Sequence, residues 1–238
     1  MSAAFVVLLA ACSASPVTVD RAEGDGPLPQ LAPENGTVRT TVVAPTSGPR
    51  PAPTEGPIDG DELDDVLLVG DSVLVLLLDD LAERLRSTLH VDGADCRQLG
   101  SPVTGPCGGV PAGTRVASGL ATLDSTRAGE RVAPDAAVFV LANNATITRE
   151  ELDAAMAASA GIDHVWWVNT RIVGFGRQDV NNRLLAELAA RDQRAGVVDW
   201  FGASEGEEWL ADNVHPNDAG QAALAALIDD RLRCGCTA

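Results

Sequence analysis

The sequence predicts a three-layer α/β/α fold built on a five-stranded parallel sheet, and three observations carry that expectation. From residue 63 to the C-terminal end, short apolar runs of strand length alternate with segments whose apolar residues recur at three and four. Strands that alternate with helices in this way pair in parallel through right-handed crossovers, with helices on both faces. The chain has 238 residues, 45% of them hydrophobic, enough for a single core of that size.

In chain order, DDVLLVG (64–70) reads as a buried strand and SVLVLLLDDLAERLRSTL (72–89) as a helix. HVDGAD (90–95) is a short second strand, and GTRVASGLATLDSTR (113–127) is helical. DAAVFVLAN (135–143), rich in Val, Ala and Phe, is the third strand. TREELDAAMAASAG (148–161) opens with a capping box from Thr148 to Glu151 and ends its helix at glycine. DHVWWVNT (163–170) is the fourth strand, QDVNNRLLAELAARDQ (178–193) a helix, AGVVDW (195–200) the fifth strand and NDAGQAALAALIDDRLR (217–233) the last helix. Trp166, Trp167, Trp200 and Trp209 offer faces for stacking on a sugar. Neighbours on a strand point to opposite sides, however, which favours one ring of the 166–167 pair in each half of the core.

The 62 residues before this region differ in kind. Residues 1–12 form an apolar stretch ending Leu9-Ala10-Ala11-Cys12, which resembles a bacterial lipobox with Cys12 as the lipidated residue, although no Lys or Arg precedes it. From 13 to 62 lie nine of the fourteen prolines and no aromatic residue, so this segment is expected to be a disordered tether reaching roughly 40 Å. Its acidic end, DGDELDD (59–65), is read as a solvated charge run rather than a calcium loop. The domain proper is 63–238. The expected location is extracytoplasmic, held to the membrane by the lipid or secreted, and the expected state is a monomer.

A formal net charge of -17, with only 17 Lys and Arg, argues against a nucleic-acid partner and against attraction to bare anionic lipid. Apart from Cys12, four cysteines remain, an even number that suits an oxidising compartment. Pairing Cys96 with Cys107 would close the Pro/Gly-rich loop CRQLGSPVTGPC. Cys234 and Cys236 lie too near each other for an easy bridge, and a lone C-x-C is a weak zinc signal. No cofactor or metal is expected.

Three predicted strands end in polar residues on one edge of the sheet: Gly70-Asp71-Ser72, Asn143-Asn144 and Asp199-Trp200. Ligands gather beyond the carboxyl ends of strands in open parallel sheets. Ser72 either caps the following helix or presents a nucleophile, and a serine hydroxyl is a poor nucleophile until a base takes its proton. Of three histidines, His90 precedes a strand and His164 begins one, positions that suit a solvated or structural role. His215 lies in a loop before the last helix, three residues after Asp212. That spacing lets the carboxylate accept from the imidazole and support the imidazolium formed when Ser72 gives up its proton. Taken singly, each is an ordinary turn or loop residue; taken with G-D-S, they assemble a Ser-His-Asp set from the two ends of the domain.

Over about 64–232 the chain resembles the SGNH (GDSL-like) hydrolases, a family of flavodoxin-like fold. VGDSV resembles the family's first block, and DNVHPNDAG its last. The resemblance implies a triad of Ser72, His215 and Asp212. ANNA (142–145) matches the third block in part, with alanine in place of its glycine, and implies Asn144 as a side-chain oxyanion donor. In the second block Cys96-Arg97-Gln98 stands where related domains often carry Gly-Arg-Gln, so Cys96 would supply the backbone donor beside the Ser72 N–H. VFVLANNATITREEL, VWWVNTRI, VNN and VVDW are similar to SGNH domains attached to bacterial membrane O-acyltransferases. The implied chemistry is hydrolysis or transfer of a short, acetyl-type ester on an acylated carbohydrate or lipid, with Asp71, Asn143 and Arg171 as candidate substrate contacts and Asp71 expected to brace the turn rather than react. The altered middle blocks also suit a weakened SGNH-like domain that binds wall glycans.

Overall fold

The computed structural model of the chain describes residues 37–42, 63–123 and 133–234. The lipobox with Cys12, the tether apart from 37–42, and Cys236 lie outside the described residues. Strand β1 (Thr37–Val42) is followed by β2 (Asp65–Gly70), α1 (Ser72–Arg84), β3 (Thr88–Ala94), β4 (Val103–Thr104) and β5 (Arg115–Val116). A helix, α2, is described over 119–123. The remainder runs β6 (Ala136–Val140), α3 (Arg149–Ala158), β7 (His164–Val168), α4 (Arg177–Arg191), β8 (Ala195–Val198), α5 (Trp200–Ala203) and α6 (Asp218–Cys234).

The main sheet has the order β1-β3-β2-β6-β7-β8. Its last five strands are parallel, as the alternation requires. The sixth is a correction to the disordered reading of 13–62: β1 lies in that segment and pairs antiparallel with β3, from Thr37 opposite Ala94 to Val42 opposite Leu89. The reason is local. Thr37-Val38-Arg39-Thr40-Thr41-Val42 has a β-branched residue at every position but one, a strand former embedded in a proline-rich surround.

Two apolar cores flank the sheet. On one side Val66 and Leu68 of β2, Val138 of β6 and Trp166 of β7 meet Leu74, Leu77 and Leu81 of α1 and Leu224 and Ile228 of α6. On the other, Leu67, Val69, Phe139 and Trp167 meet Leu152 and Met156 of α3 and Leu185 and Leu188 of α4. The adjacent tryptophans therefore divide between the two layers, each 1% exposed, as strand alternation dictates. Trp166 lies opposite Gly196 of β8, where an added Cβ would come 2.1 Å from its ring. The indole occupies the space that a side chain at 196 would need.

Several boundaries differ from the sequence reading. Helix α1 stops at Arg84 rather than 89, because Thr88 already begins β3 and its N–H is claimed by Asp64 O at 2.7 Å. The segment read as one helix over 113–127 first forms β5, which pairs with β4, and turns helical only at 119. The capping box of α3 is present in full, with Thr148 and Glu151 each bonding the other's backbone. Among the described residues no helix is long and apolar enough to cross a membrane.

Candidate active site

The crevice of interest lies where β2 and β6 emerge together, the point at which the chain leaves the centre of the sheet in both directions. Gly70 ends β2 with almost no room: an added Cβ would lie 2.3 Å from Leu74 Cβ, so only glycine lets the chain fold back into α1 this tightly. Asp71 is the N-cap of α1, its Oδ1 accepting from Val73 N–H at 2.9 Å. The cap is thus supplied by Asp71, which leaves the Ser72 hydroxyl uncommitted to the helix. That hydroxyl faces His215, with Oγ 2.9 Å from Nε2.

His215 is delivered by a stapled loop. Its backbone carbonyl accepts from Ala211 N–H at 2.8 Å, and Leu210 and Pro216 form a β-bridge across the base. Asn217 closes the far side, donating to Glu208 O at 2.8 Å and accepting from Gly220 N–H at 3.0 Å at the start of α6. Trp209, ahead of the loop, stacks on buried Trp200 at 5.8 Å between centroids. Asp212 Oδ1 accepts from the N–H groups of Val214 and His215 at 2.7 and 2.8 Å, and its Oδ2 lies 2.8 Å from His215 Nδ1. A carboxylate only accepts, so Nδ1 carries the proton and Nε2 is left with a lone pair aimed at Ser72. Burial pushes the Asp212 carboxyl up, but the backbone and imidazole donors of His215 and the Val214 N–H together outweigh it and hold the carboxyl below the usual carboxylate value. The residue is therefore ionised wherever the imidazole needs it to be.

Asp71 and Asn143, candidate substrate contacts on sequence grounds, are instead turned into the protein. Asp71 is fully buried, and Asn143 Nδ2 donates to both its carboxylate oxygens at 3.3 and 3.0 Å. They brace the floor beneath Ser72 from below. Burial pushes the Asp71 carboxyl up to about 6, against the opposing donors Val73 and Asn143 and the nearby His215. Because its value in the folded state is the higher one, the folded protein binds more protons than the unfolded chain between about pH 4 and 6, and this group's contribution to stability declines as pH rises through that window. Urea unfolding of the protein and of Asp71→Asn across pH 4 to 7 is expected to show that decline in the first and its loss in the second.

Asn144 reaches the opposite wall, its Nδ2 donating to Arg97 O at 3.2 Å, which leaves the second amide proton free of that bond. Cys96 and Cys107 form the disulfide favoured from the sequence, with Cα atoms 6.1 Å apart. Cys234 is also disulfide-bonded. Arg171 lies on the loop after β7 with its guanidinium 5.4 Å from the Phe201 ring centre. That loop is tied to the loop that carries His215 by Val173 N–H donating to Asn213 O at 2.8 Å. Of the two roles left open for His90, solvated or structural, the structure shows the buried one, with the ring 2.6 Å from Asp65.

Four supporting residues escaped sequence reasoning. Arg97, 1% exposed, pairs with Asp92 at 2.7 Å and donates to the carbonyls of Asp92, Gly70 and Ala117. Arg177 Nε donates to Asn143 O at 2.9 Å. Asn181 holds the third-block loop by accepting from Ile147 N–H and donating to the carbonyls of Ala142 and Ala145. Asn182 does the same for Thr170, on both its N–H and its carbonyl. The legible signal was the Asn181-Asn182 pair inside an otherwise apolar-periodic helix, where amide side chains need a reason to be. Among the described residues no cluster of His, Cys, Asp and Glu could hold a metal ion.

The three-layer α/β/α fold is similar to that of two solved structures. The chain superposes on the C-terminal catalytic domain of Streptococcus pneumoniae peptidoglycan O-acetyltransferase A, solved with a methylsulfonyl adduct, with a TM-score of 0.53 and 18% identity over 73% of this chain and 95% of that one. It superposes equally on a lipolytic G-D-S-L family protein of Veillonella parvula, at 0.54 and 15% identity over 70% and 96%. No family model matches the chain. In sequence it is 29% identical over 172 residues to proteins of Staphylococcus aureus strains COL and MRSA252 that are O-acetyltransferases by name, an activity those names leave to be demonstrated. The match covers 70% of this chain and 24% of each relative, so the chain corresponds to about a quarter of their length.

Proposed function

We propose that the chain is an extracytoplasmic serine esterase or O-acyltransferase acting on short, acetyl-type esters of cell-envelope glycans or lipids. The observation that carries this is the unbroken chain of contacts from Ser72 Oγ through the His215 ring to Asp212, at 2.9 and 2.8 Å. His215 Nε2 takes the Ser72 proton as Oγ bonds to the ester carbonyl carbon. The Ser72 N–H, the free Asn144 amide proton and the Cys96 N–H hold the oxyanion. The imidazolium then protonates the departing alkoxide as the C–O bond breaks, leaving the acyl group on Ser72. Water gives the acid, or a sugar hydroxyl gives a new ester, by the reverse sequence with His215 again as base. Each oxyanion donor is worth about 3 kcal/mol, so a site with an altered second block keeps most of its machinery.

The envelope substrate is supported by the peptidoglycan O-acetyltransferase among the similar structures and by the lipobox-like Cys12 ahead of a proline-rich tether. In this reading the domain works as a monomer on a lipid anchor. Hydrolysis of p-nitrophenyl acetate, butyrate and octanoate tests the reading, with acetate expected to be turned over fastest. No turnover of any of the three, together with retained binding to wall glycans, would leave a binding module instead. Asp212→Asn is expected to cut kcat by about 10³- to 10⁴-fold by presenting the wrong donor to Nδ1, with KM little changed. Steady-state kinetics at pH 7 to 8 check this.

A further inference from the structure

Among the described residues Cys96 is the one residue other than glycine in the left-handed region, with φ at 61°. It stands third in a four-residue turn, which Arg97 N–H closes by donating to Ala94 O at 3.3 Å. That turn position ordinarily goes to glycine, because a Cβ there crowds the backbone. Cys96 is also bridged to Cys107, which is anchored independently: Cys107 and Val110 exchange backbone hydrogen bonds at 3.3 and 2.8 Å. Ala94, Val110 and Val116 close around the bridge in a small apolar cluster.

Residue 97, which completes the turn, touches both walls of the site. Arg97 O accepts from Asn144, and Arg97 Nη1 donates to Gly70 O at 3.3 Å, beneath the turn that carries Ser72. The path of residues 94–97 therefore sets the Asn144 amide and the Cys96 N–H relative to Ser72.

We propose that the Cys96–Cys107 disulfide is a positioning device that holds residue 96 left-handed and thereby fixes the oxyanion donors, doing by a covalent tether what the missing Cβ does for glycine. The claim rests on the acyl-transfer reading of the site. Released from the bridge, a residue with a Cβ leaves the left-handed region by roughly tenfold, whereas glycine occupies it freely.

Two variants separate positioning from simple stapling. Cys107→Ser frees Cys96; Cys96→Gly with Cys107→Ser removes the same bridge but supplies glycine. On p-nitrophenyl acetate the first is expected to lose about tenfold in kcat with KM within about twofold, and the second to recover most of that loss, although both lose thermal stability. Wild-type kcat in Cys107→Ser, or equal slowing of both variants, overturns the proposal. The Asn144 side-chain amide resonances supply a readout independent of turnover: they shift in Cys107→Ser and return in the double variant, and their invariance in Cys107→Ser overturns the proposal too. If the unaltered protein neither turns over esters nor is labelled at Ser72, the acyl-transfer reading fails, while the resonances still decide the positioning claim.

Discussion

Ser72→Ala is expected to lower kcat/KM for p-nitrophenyl acetate by about 10⁵- to 10⁶-fold while leaving the unfolding free energy within about 0.5 kcal/mol of the parent. The pairing of a large kinetic loss with a negligible thermodynamic one follows from the division of labour at the end of β2. Asp71, not Ser72, caps α1. The Ser72 hydroxyl touches His215, which belongs to a loop held by its own backbone bonds and by Asn217. Removing one oxygen therefore deletes the nucleophile without removing a cap or loosening the base. Had the serine been the cap, alanine would cost about 1 kcal/mol of stability. Kinetics and urea unfolding on the same preparation distinguish the two roles in a single comparison.

Arg97→Met is expected to destabilise the fold by about 3 to 5 kcal/mol, the cost of breaking a buried ion pair from one side. Both partners are 1% exposed, and the guanidinium also serves the carbonyls of Asp92, Gly70 and Ala117. Its loss leaves the Asp92 carboxylate without the cation that faces it and three carbonyls without this donor. Replacing both partners, Arg97→Met with Asp92→Leu, is expected to cost less than Arg97→Met alone, because the buried carboxylate is removed together with the cation. Urea midpoints with unchanged m-values for the single and double variants check the ordering. Activity should fall with Arg97→Met even below the denaturation midpoint, since the same side chain braces Gly70 under Ser72.

The parallel sheet and the contact of Ser72 with His215 were legible for different reasons. Strands such as Val66-Leu67-Leu68-Val69 are buried on both faces, so their apolar runs are continuous and hard to mistake. The meeting of Ser72, His215 and Asp212 was legible because histidine is scarce: with three in the chain, only His215 lay in a loop beside a carboxylate. Strand β1 was hidden because composition over fifty residues averages away a six-residue β-branched run. Asp71 reads from the sequence as a brace for the turn, but the inward direction of Asn143 was hidden, because a strand-end amide reads alike whether it faces solvent or turns inward. Arg97 was hidden for the opposite reason: a lone arginine in sequence predicts an exposed side chain, yet here pairing with Asp92 permits full burial. The left-handed Cys96 could be suspected only from the family's glycine at that place, and its tether only from the cysteine partner eleven residues on.

The most direct test of the central claim is covalent capture. Incubation with phenylmethylsulfonyl fluoride, followed by peptide mass spectrometry, is predicted to place one sulfonyl group on Ser72 with loss of fluoride, and to do so at least about 100-fold more slowly in His215→Ala. Absence of an adduct on Ser72 in the unaltered protein, or modification at the same rate without the imidazole, would contradict the account.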